Sequence, residues 1–94
     1  MNTAITTTID TLTIAVKNAD VTTIEGRGIV ADSCKQLYNL IEEDTYKAGK
    51  EWMLKGMYND LCNGNFGEPF MCDRKKGTFE AIVAIYNNNI VPSL

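Results

Sequence analysis

The fold of this chain is decided by residues 29–43, which read IVADSCKQLYNLIEE. Apolar side chains in this stretch recur with the 3.6-residue period of an α-helix, and polar side chains fill the opposite face. The apolar positions are Val30, Cys34, Leu37, Tyr38 and Ile41. This pattern predicts an amphipathic helix that buries one face against the rest of the domain.

Just before this helix, the residues Thr22-x-x-Glu25 have the form of a capping box. A capping box satisfies the first backbone N–H groups of a helix, so it can start the helix earlier than residue 29. Gly26 and Gly28 lie in between, and a glycine costs about 1 kcal/mol in a helix interior. We therefore expect a break or kink between the cap and the main helix.

A second helix is predicted at about 45–62, with Thr45 as its N-cap and Asn63-Gly64 as its C-terminal signal. Its inward side chains are Tyr46, Met53, Met57 and Leu61. Because the connection to the first helix is very short, the two segments should form an antiparallel or sharply angled helical pair.

The segment from Asn65 to Gly77 has no periodicity and contains Gly67 and Pro69. It predicts a loop of about 13 residues, a length at which loops in small domains are often functional. Thr78 then caps a C-terminal helix at about 78–88. Because the centre of this last segment is apolar on all sides, a buried strand is the alternative.

Residues 4–16 allow two interpretations, because Ile5, Ile9, Leu12 and Val16 have helical spacing while the intervening threonines favour strands. The sequence therefore predicts a mainly α, single-domain fold over residues 1–94. The alternative is α+β, with terminal strands packed on the helical pair. The predicted core consists of Ile9, Leu12, Val30, Leu37, Ile41, Met53, Met57, Leu61, Val83 and Tyr86.

The 94 residues include no histidine, which is the usual general base and the commonest zinc ligand. Nine basic and twelve acidic residues give a net charge of −3, which disfavours direct binding of nucleic acid except through Arg74, Lys75 and Lys76. We expect no cofactor and no metal. No secretion signal or membrane span is recognisable, and three cysteines suit a reducing compartment, so a cytoplasmic location is expected.

Two alternatives to a purely binding role follow from the reactive side chains. The chain could be a small enzyme or metal-binding domain that uses carboxylates or the pair Cys62 and Cys72, which could also form a disulfide. Cys34 lies on the apolar face of the clearest helix and is interpreted as core filler. We therefore favour a non-enzymatic protein-interaction module.

Candidate contact residues fall into two groups. Trp52, between Gly49 and Gly56, is interpreted either as the place where another helix of the chain packs closely or as an exposed anchor for a partner. Self-association through this flank would make a structural protein. The second group combines apolar and basic side chains of the predicted loop, namely Phe66, Phe70, Met71, Arg74, Lys75 and Lys76. Replacing the three cations by alanine is expected to weaken partner binding and to leave thermal unfolding nearly unchanged.

A tripeptide of apolar residue, tyrosine and asparagine recurs at 37–39, 57–59 and 85–87, with unequal spacings that do not indicate a structural repeat. In its small size, acidity and lack of catalytic signatures, the chain resembles the orphan proteins of bacteriophages and mobile elements, including anti-CRISPR and other anti-defence inhibitors. The resemblance implies steric inhibition of a larger host protein or nucleoprotein complex in the host cytoplasm. It has no residue-level correspondence.

Overall fold

The computed structural model describes residues 3–62 and 68–94, which form four α-helices followed by two short helical turns. The helices are α1 (Thr3–Asn18), α2 (Ile24–Lys47), α3 (Glu51–Cys62) and α4 (Pro69–Ile85). A π-helical turn at Tyr86–Ile90 and a 3-10 turn at Val91–Ser93 follow α4. No strand occurs in the described ranges, so the mainly α prediction is confirmed and the α+β alternative is wrong.

Helix α1 forms although it contains several threonines, whose hydroxyl groups donate to carbonyl oxygens one turn earlier. Thr8 donates to the carbonyl oxygen of Ala4 at 2.8 Å, and Thr13 donates to that of Ile9 at 2.7 Å. Ile9, Leu12 and Val16 are buried on the inner face. The helical spacing of the apolar residues therefore overrides the strand preference of the threonines.

Helix α2 begins at Ile24 and runs through both glycines, so the predicted break is wrong. Its N-cap is Thr23, one residue after the expected position, and the Thr23 hydroxyl accepts a 2.9 Å hydrogen bond from the Gly26 amide. Gly26 is required here for a packing reason. A Cβ at this position would lie 1.8 Å from the carbonyl oxygen of Asp20.

The same helix continues past residue 43 to Lys47, so Thr45 is not an N-cap. The Thr45 side chain is fully buried and donates to the carbonyl oxygen of Ile41 at 2.7 Å. The chain reverses at Gly49, whose φ of +69° is strongly disfavoured for residues with a Cβ. The predicted Asn63-Gly64 signal at the end of α3 lies outside the described residues.

The core forms around α2, which contacts α1, α3, α4 and the π-helical turn. Most of the predicted core positions are buried, and Met53 and Val83 are only partly buried against the core. Tyr46, predicted to face inward, is exposed, and Leu54 is buried in α3 instead.

Helix α4 begins at Pro69, so the predicted loop from Asn65 to Gly77 is wrong over its described part and Thr78 is not an N-cap. The predicted C-terminal helix at about 78–88 is confirmed as the second part of this longer helical segment, and the strand alternative for it is wrong. A proline suits the first turn of a helix because its missing N–H has no helical partner there. The buried face of α4 carries Cys72, Lys75, Phe79 and Ile82. Because Lys75 occupies one of these inward positions, the apolar residues alone do not show the 3.6-residue period of a helix in this segment.

Charged side chains recur along α2, which is the longest helix. Neither α2 nor any other helix within 3–62 and 68–94 is long and apolar enough to cross a membrane.

Candidate functional site

The basic cluster Arg74-Lys75-Lys76 lies within α4 rather than in a loop. Consecutive residues of an α-helix point about 100° apart, so these cations face different directions. Arg74 is exposed, Lys75 is buried with 2% of its surface accessible, and Lys76 is half-buried. These residues therefore do not form the single positive surface that was predicted for a loop.

Lys76 belongs to the scaffold. Its ammonium group donates to the main-chain carbonyl oxygen of Ala19, 57 residues away in the chain. Replacing all three cations would remove this bond, so the expectation that thermal unfolding stays nearly unchanged needs revision.

The apolar residues predicted beside the cations are divided as well. Phe70 is 70% exposed, with the Arg74 guanidinium 5.9 Å from its ring centre, a cation–π geometry. Met71 is half-buried. Phe66 lies outside the described residues. Among the described residues of the predicted contact group, Phe70 and Arg74 are therefore the two that are exposed and adjacent.

Trp52 is 71% exposed at the start of α3. A Cβ added at Gly56, on the next turn, would meet nothing within 4 Å among the described atoms. The interpretation that another helix packs closely into this flank is therefore wrong for the part of the chain the structure describes. Trp52 lies on the outer face of α3, opposite the buried residues Leu54, Met57 and Leu61.

The described residues form a groove between α2 and α3, with a volume of about 550 Å³. This volume falls within the range of clefts that bind ligands or side chains of a partner. The lining as a whole is mainly apolar. The lining residues are Ala31, Cys34, Lys35, Tyr38, Asn39, Tyr58, Leu61 and Cys62.

Two tyrosines join the walls of this groove, which we call the α2–α3 groove. The ring centres of Tyr38 and Tyr58 are 4.8 Å apart, and the ring planes are inclined by 53°. Aromatic pairs of this kind contribute about 0.5–1.5 kcal/mol beyond the area they bury. A side-chain hydrogen bond to Cys62, one turn away, raises the pKa of Tyr58 above its ordinary value. Tyr58 therefore interacts both with Tyr38 across the groove and with Cys62 on its own helix.

The cysteines in and near the groove differ in burial. Burial raises the pKa of Cys34 to about 11, so its thiol stays protonated at neutral pH and is a poor nucleophile. Cys62 is exposed at the rim, whereas Cys72 is buried in α4. Within the described ranges, no group of three or more histidine, cysteine or carboxylate side chains is arranged to hold a metal.

The groove was missed by the sequence interpretation, although a signal for it was present. In the recurring tripeptide, Leu37 and Met57 are buried, and the tyrosine that follows each of them flanks the core on the same side. The first two copies of the tripeptide therefore mark facing positions of α2 and α3. In the third copy, Tyr86 is itself buried.

Comparisons of this chain with protein-family models, with curated proteins and with solved structures found no match. The candidate site therefore stands on its own geometry.

Proposed function

We propose that this chain is a non-enzymatic protein-interaction module that binds a partner through the α2–α3 groove. The observation that carries the proposal is the groove of about 550 Å³ whose two walls present the contacting rings of Tyr38 and Tyr58. Tyrosine is enriched at protein interfaces and their energetic hot spots, where a large ring contributes apolar contact and a hydroxyl group contributes a hydrogen bond. The protonated thiol of Cys34 fits such a binding surface.

The biological setting that we propose is steric inhibition. The resemblance to small acidic proteins of phages and mobile elements supports this setting, in which the bound module blocks a larger host protein or nucleoprotein complex. Steric inhibition of the kind that the resemblance to anti-CRISPR and other anti-defence inhibitors implies requires a contact surface rather than catalytic residues.

The proposal is tested by filling the groove. Asn39 is exposed at the rim, so Asn39→Trp places a large side chain over the groove and should leave the core intact. Thr7→Trp on the exposed face of α1 is the matched control. Both variants and the parent chain serve as baits in a lysate of the cell that naturally produces the protein, or of its host.

We expect the parent and Thr7→Trp to retain the same partner and Asn39→Trp to lose it. Circular dichroism and urea unfolding of the three proteins establish that the fold is unchanged. A partner that Asn39→Trp retains at full yield would exclude the groove as the contact surface.

Self-association is a second candidate function, favoured by the exposure of Trp52 beside the open flank at Gly56. If this flank forms a symmetric contact, the mass measured by light scattering should rise with protein concentration. Trp52→Ala should abolish that rise, and Asn39→Trp should leave it unchanged. A mass that stays monomeric for the parent chain at all concentrations excludes this candidate.

A further inference from the structure

The charges around the α2–α3 groove are distributed unequally. Lys35 is the charged side chain among the lining residues, and it is exposed on the outer rim between Ala31 and Asn39. No described carboxylate lies within 4.0 Å of its ammonium group. Lys35 is therefore available for a charged group that a ligand brings to the groove.

A second positive charge, that of the buried Lys75, acts on the lining residue Cys34. Burial is the main cause of the raised pKa of Cys34, and the positive charge of Lys75 opposes it. Tyr38 has a pKa raised first by burial and next by the negative charge of Glu42, which lies one turn farther along α2. Lys75 and Glu42 therefore act with opposite charges on two residues that line the groove.

The dimensions of the groove suit a short peptide segment. Its α2 wall runs from Ala31 to Asn39, about 12 Å at 1.5 Å per residue. This length matches two helical turns or roughly four extended residues of a partner. A nucleic acid would need many cations to offset its phosphates, and the lining offers Lys35 in a chain of net charge −3.

We propose that the groove binds a short segment of a partner protein in which a bulky apolar side chain lies within a few residues of a carboxylate. The apolar side chain packs between Tyr38 and Leu61, and the carboxylate pairs with Lys35. This inference rests on the proposed function, because it assigns the chemistry of the partner to the same groove. Charge complementarity of this kind sets the register and the choice of partner.

The test is a selection from a library of random twelve-residue peptides displayed on phage, with the purified chain as the immobilised target. Parallel selections use Lys35→Glu and the matched control Lys55→Glu. Lys55 is an exposed lysine of α3 outside the groove lining, so both variants make the same change of charge.

We expect the parent and Lys55→Glu to enrich peptides with an aromatic or long aliphatic residue near Asp or Glu. Lys35→Glu should keep the apolar preference and exchange the acidic residue for Lys or Arg. A synthetic peptide from the parent selection should bind Lys35→Glu about three- to tenfold more weakly, because an exposed attractive pair becomes a repulsive one. The difference should shrink at high salt.

The outcomes separate the two proposals. Apolar peptides without an acidic preference, or an acidic preference that survives in Lys35→Glu, overturn the inference and leave groove binding in place. Selected peptides that bind Asn39→Trp as well as the parent bind elsewhere and overturn both proposals. A library that yields no enriched peptide also counts against both.

Discussion

The ammonium group of Lys76 in α4 donates a 2.5 Å hydrogen bond to the carbonyl oxygen of Ala19. It also lies 3.5 Å from the carbonyl oxygen of Lys17. Both oxygens belong to the C-terminal end of α1, where helix carbonyls lack amide partners and where the helix dipole favours a cation. Lys76 therefore joins the end of α1 to α4.

Lys76→Ala should lower the free energy of unfolding by about 1–2 kcal/mol, because it removes a hydrogen bond from a charged donor to a partly buried carbonyl. Arg74→Ala removes the same charge from an exposed position of α4 and should change the free energy of unfolding by at most about 0.5 kcal/mol. Urea unfolding followed by circular dichroism measures both. Equal losses in the two variants would show that Lys76 acts only through its charge.

Gly26→Ala and Gly28→Ala should change stability in opposite directions. A Cβ at Gly26 would lie 1.8 Å from the Asp20 carbonyl oxygen, so the start of α2 must move and the substitution should cost about 3 kcal/mol. A Cβ at Gly28 would meet nothing within 4 Å, and alanine there should stabilise the helix by about 0.5–1 kcal/mol. Urea unfolding of the two variants measures these changes, and a stable Gly26→Ala protein would contradict the close approach.

The pair of central helices could be predicted from the sequence because their apolar residues follow the helical period. The continuity of α2 through Gly26 and Gly28 could not, because glycines in a helical segment predict a break. Gly26 has no side chain, and this allows the backbone of Asp20, in the segment between α1 and α2, to pack closely against α2. A tertiary contact of this kind leaves no periodic signal in the sequence.

The candidate site was predicted less well than the fold for a similar reason. The residues around Lys75 were predicted to form a loop because they show no regular apolar spacing. In the structure, Cys72 and Lys75 occupy buried positions of α4, where the helical pattern would place larger apolar residues. Trp52 and Phe70 are exposed, as a contact role requires. The α2–α3 groove depends on the register between two helices, which the sequence of either helix alone does not specify.

Tyr86 should make the stability of the fold sensitive to alkaline pH. Its hydroxyl donates a 2.5 Å hydrogen bond to Asp44, and its pKa is raised above the ordinary value, first by burial and next by this bond. A raised pKa in the folded state means that the stabilisation is complete below the unfolded pKa of about 10 and is lost as the pH rises further. The free energy of unfolding should therefore fall above about pH 10, by up to about 1.4 kcal/mol per pH unit from this group.

Tyr86→Phe is the control for this pH dependence. It should cost about 1–2 kcal/mol at neutral pH, since the hydroxyl and its bond to Asp44 are lost. Above pH 10 its stability should fall less steeply than that of the parent. Cys34, with a pKa of about 11, contributes equally to both proteins and cancels in the comparison. Parallel curves for the two proteins between pH 9 and pH 11, measured by urea unfolding, would refute the assignment to Tyr86.

The thiols of the α2–α3 groove should differ in reactivity at pH 8. Cys62 is exposed at the rim, whereas Cys34 is buried and has a pKa of about 11, so only about one Cys34 thiol in a thousand is ionised. Iodoacetamide should therefore modify Cys62 first, and Cys34 should react at a comparable rate only after unfolding in urea. Peptide mapping by mass spectrometry measures the two rates, and Cys62→Ser should remove the fast one.

The same reaction tests the groove, because Cys62 lies in its lining. A bulky maleimide attached to Cys62 should block partner binding as Asn39→Trp does, since both place added volume over the same opening. The reagent should have no effect on partner binding by Cys62→Ser. If the modified chain binds its partner with unchanged affinity while mass spectrometry shows complete modification, the partner does not enter the groove at this end.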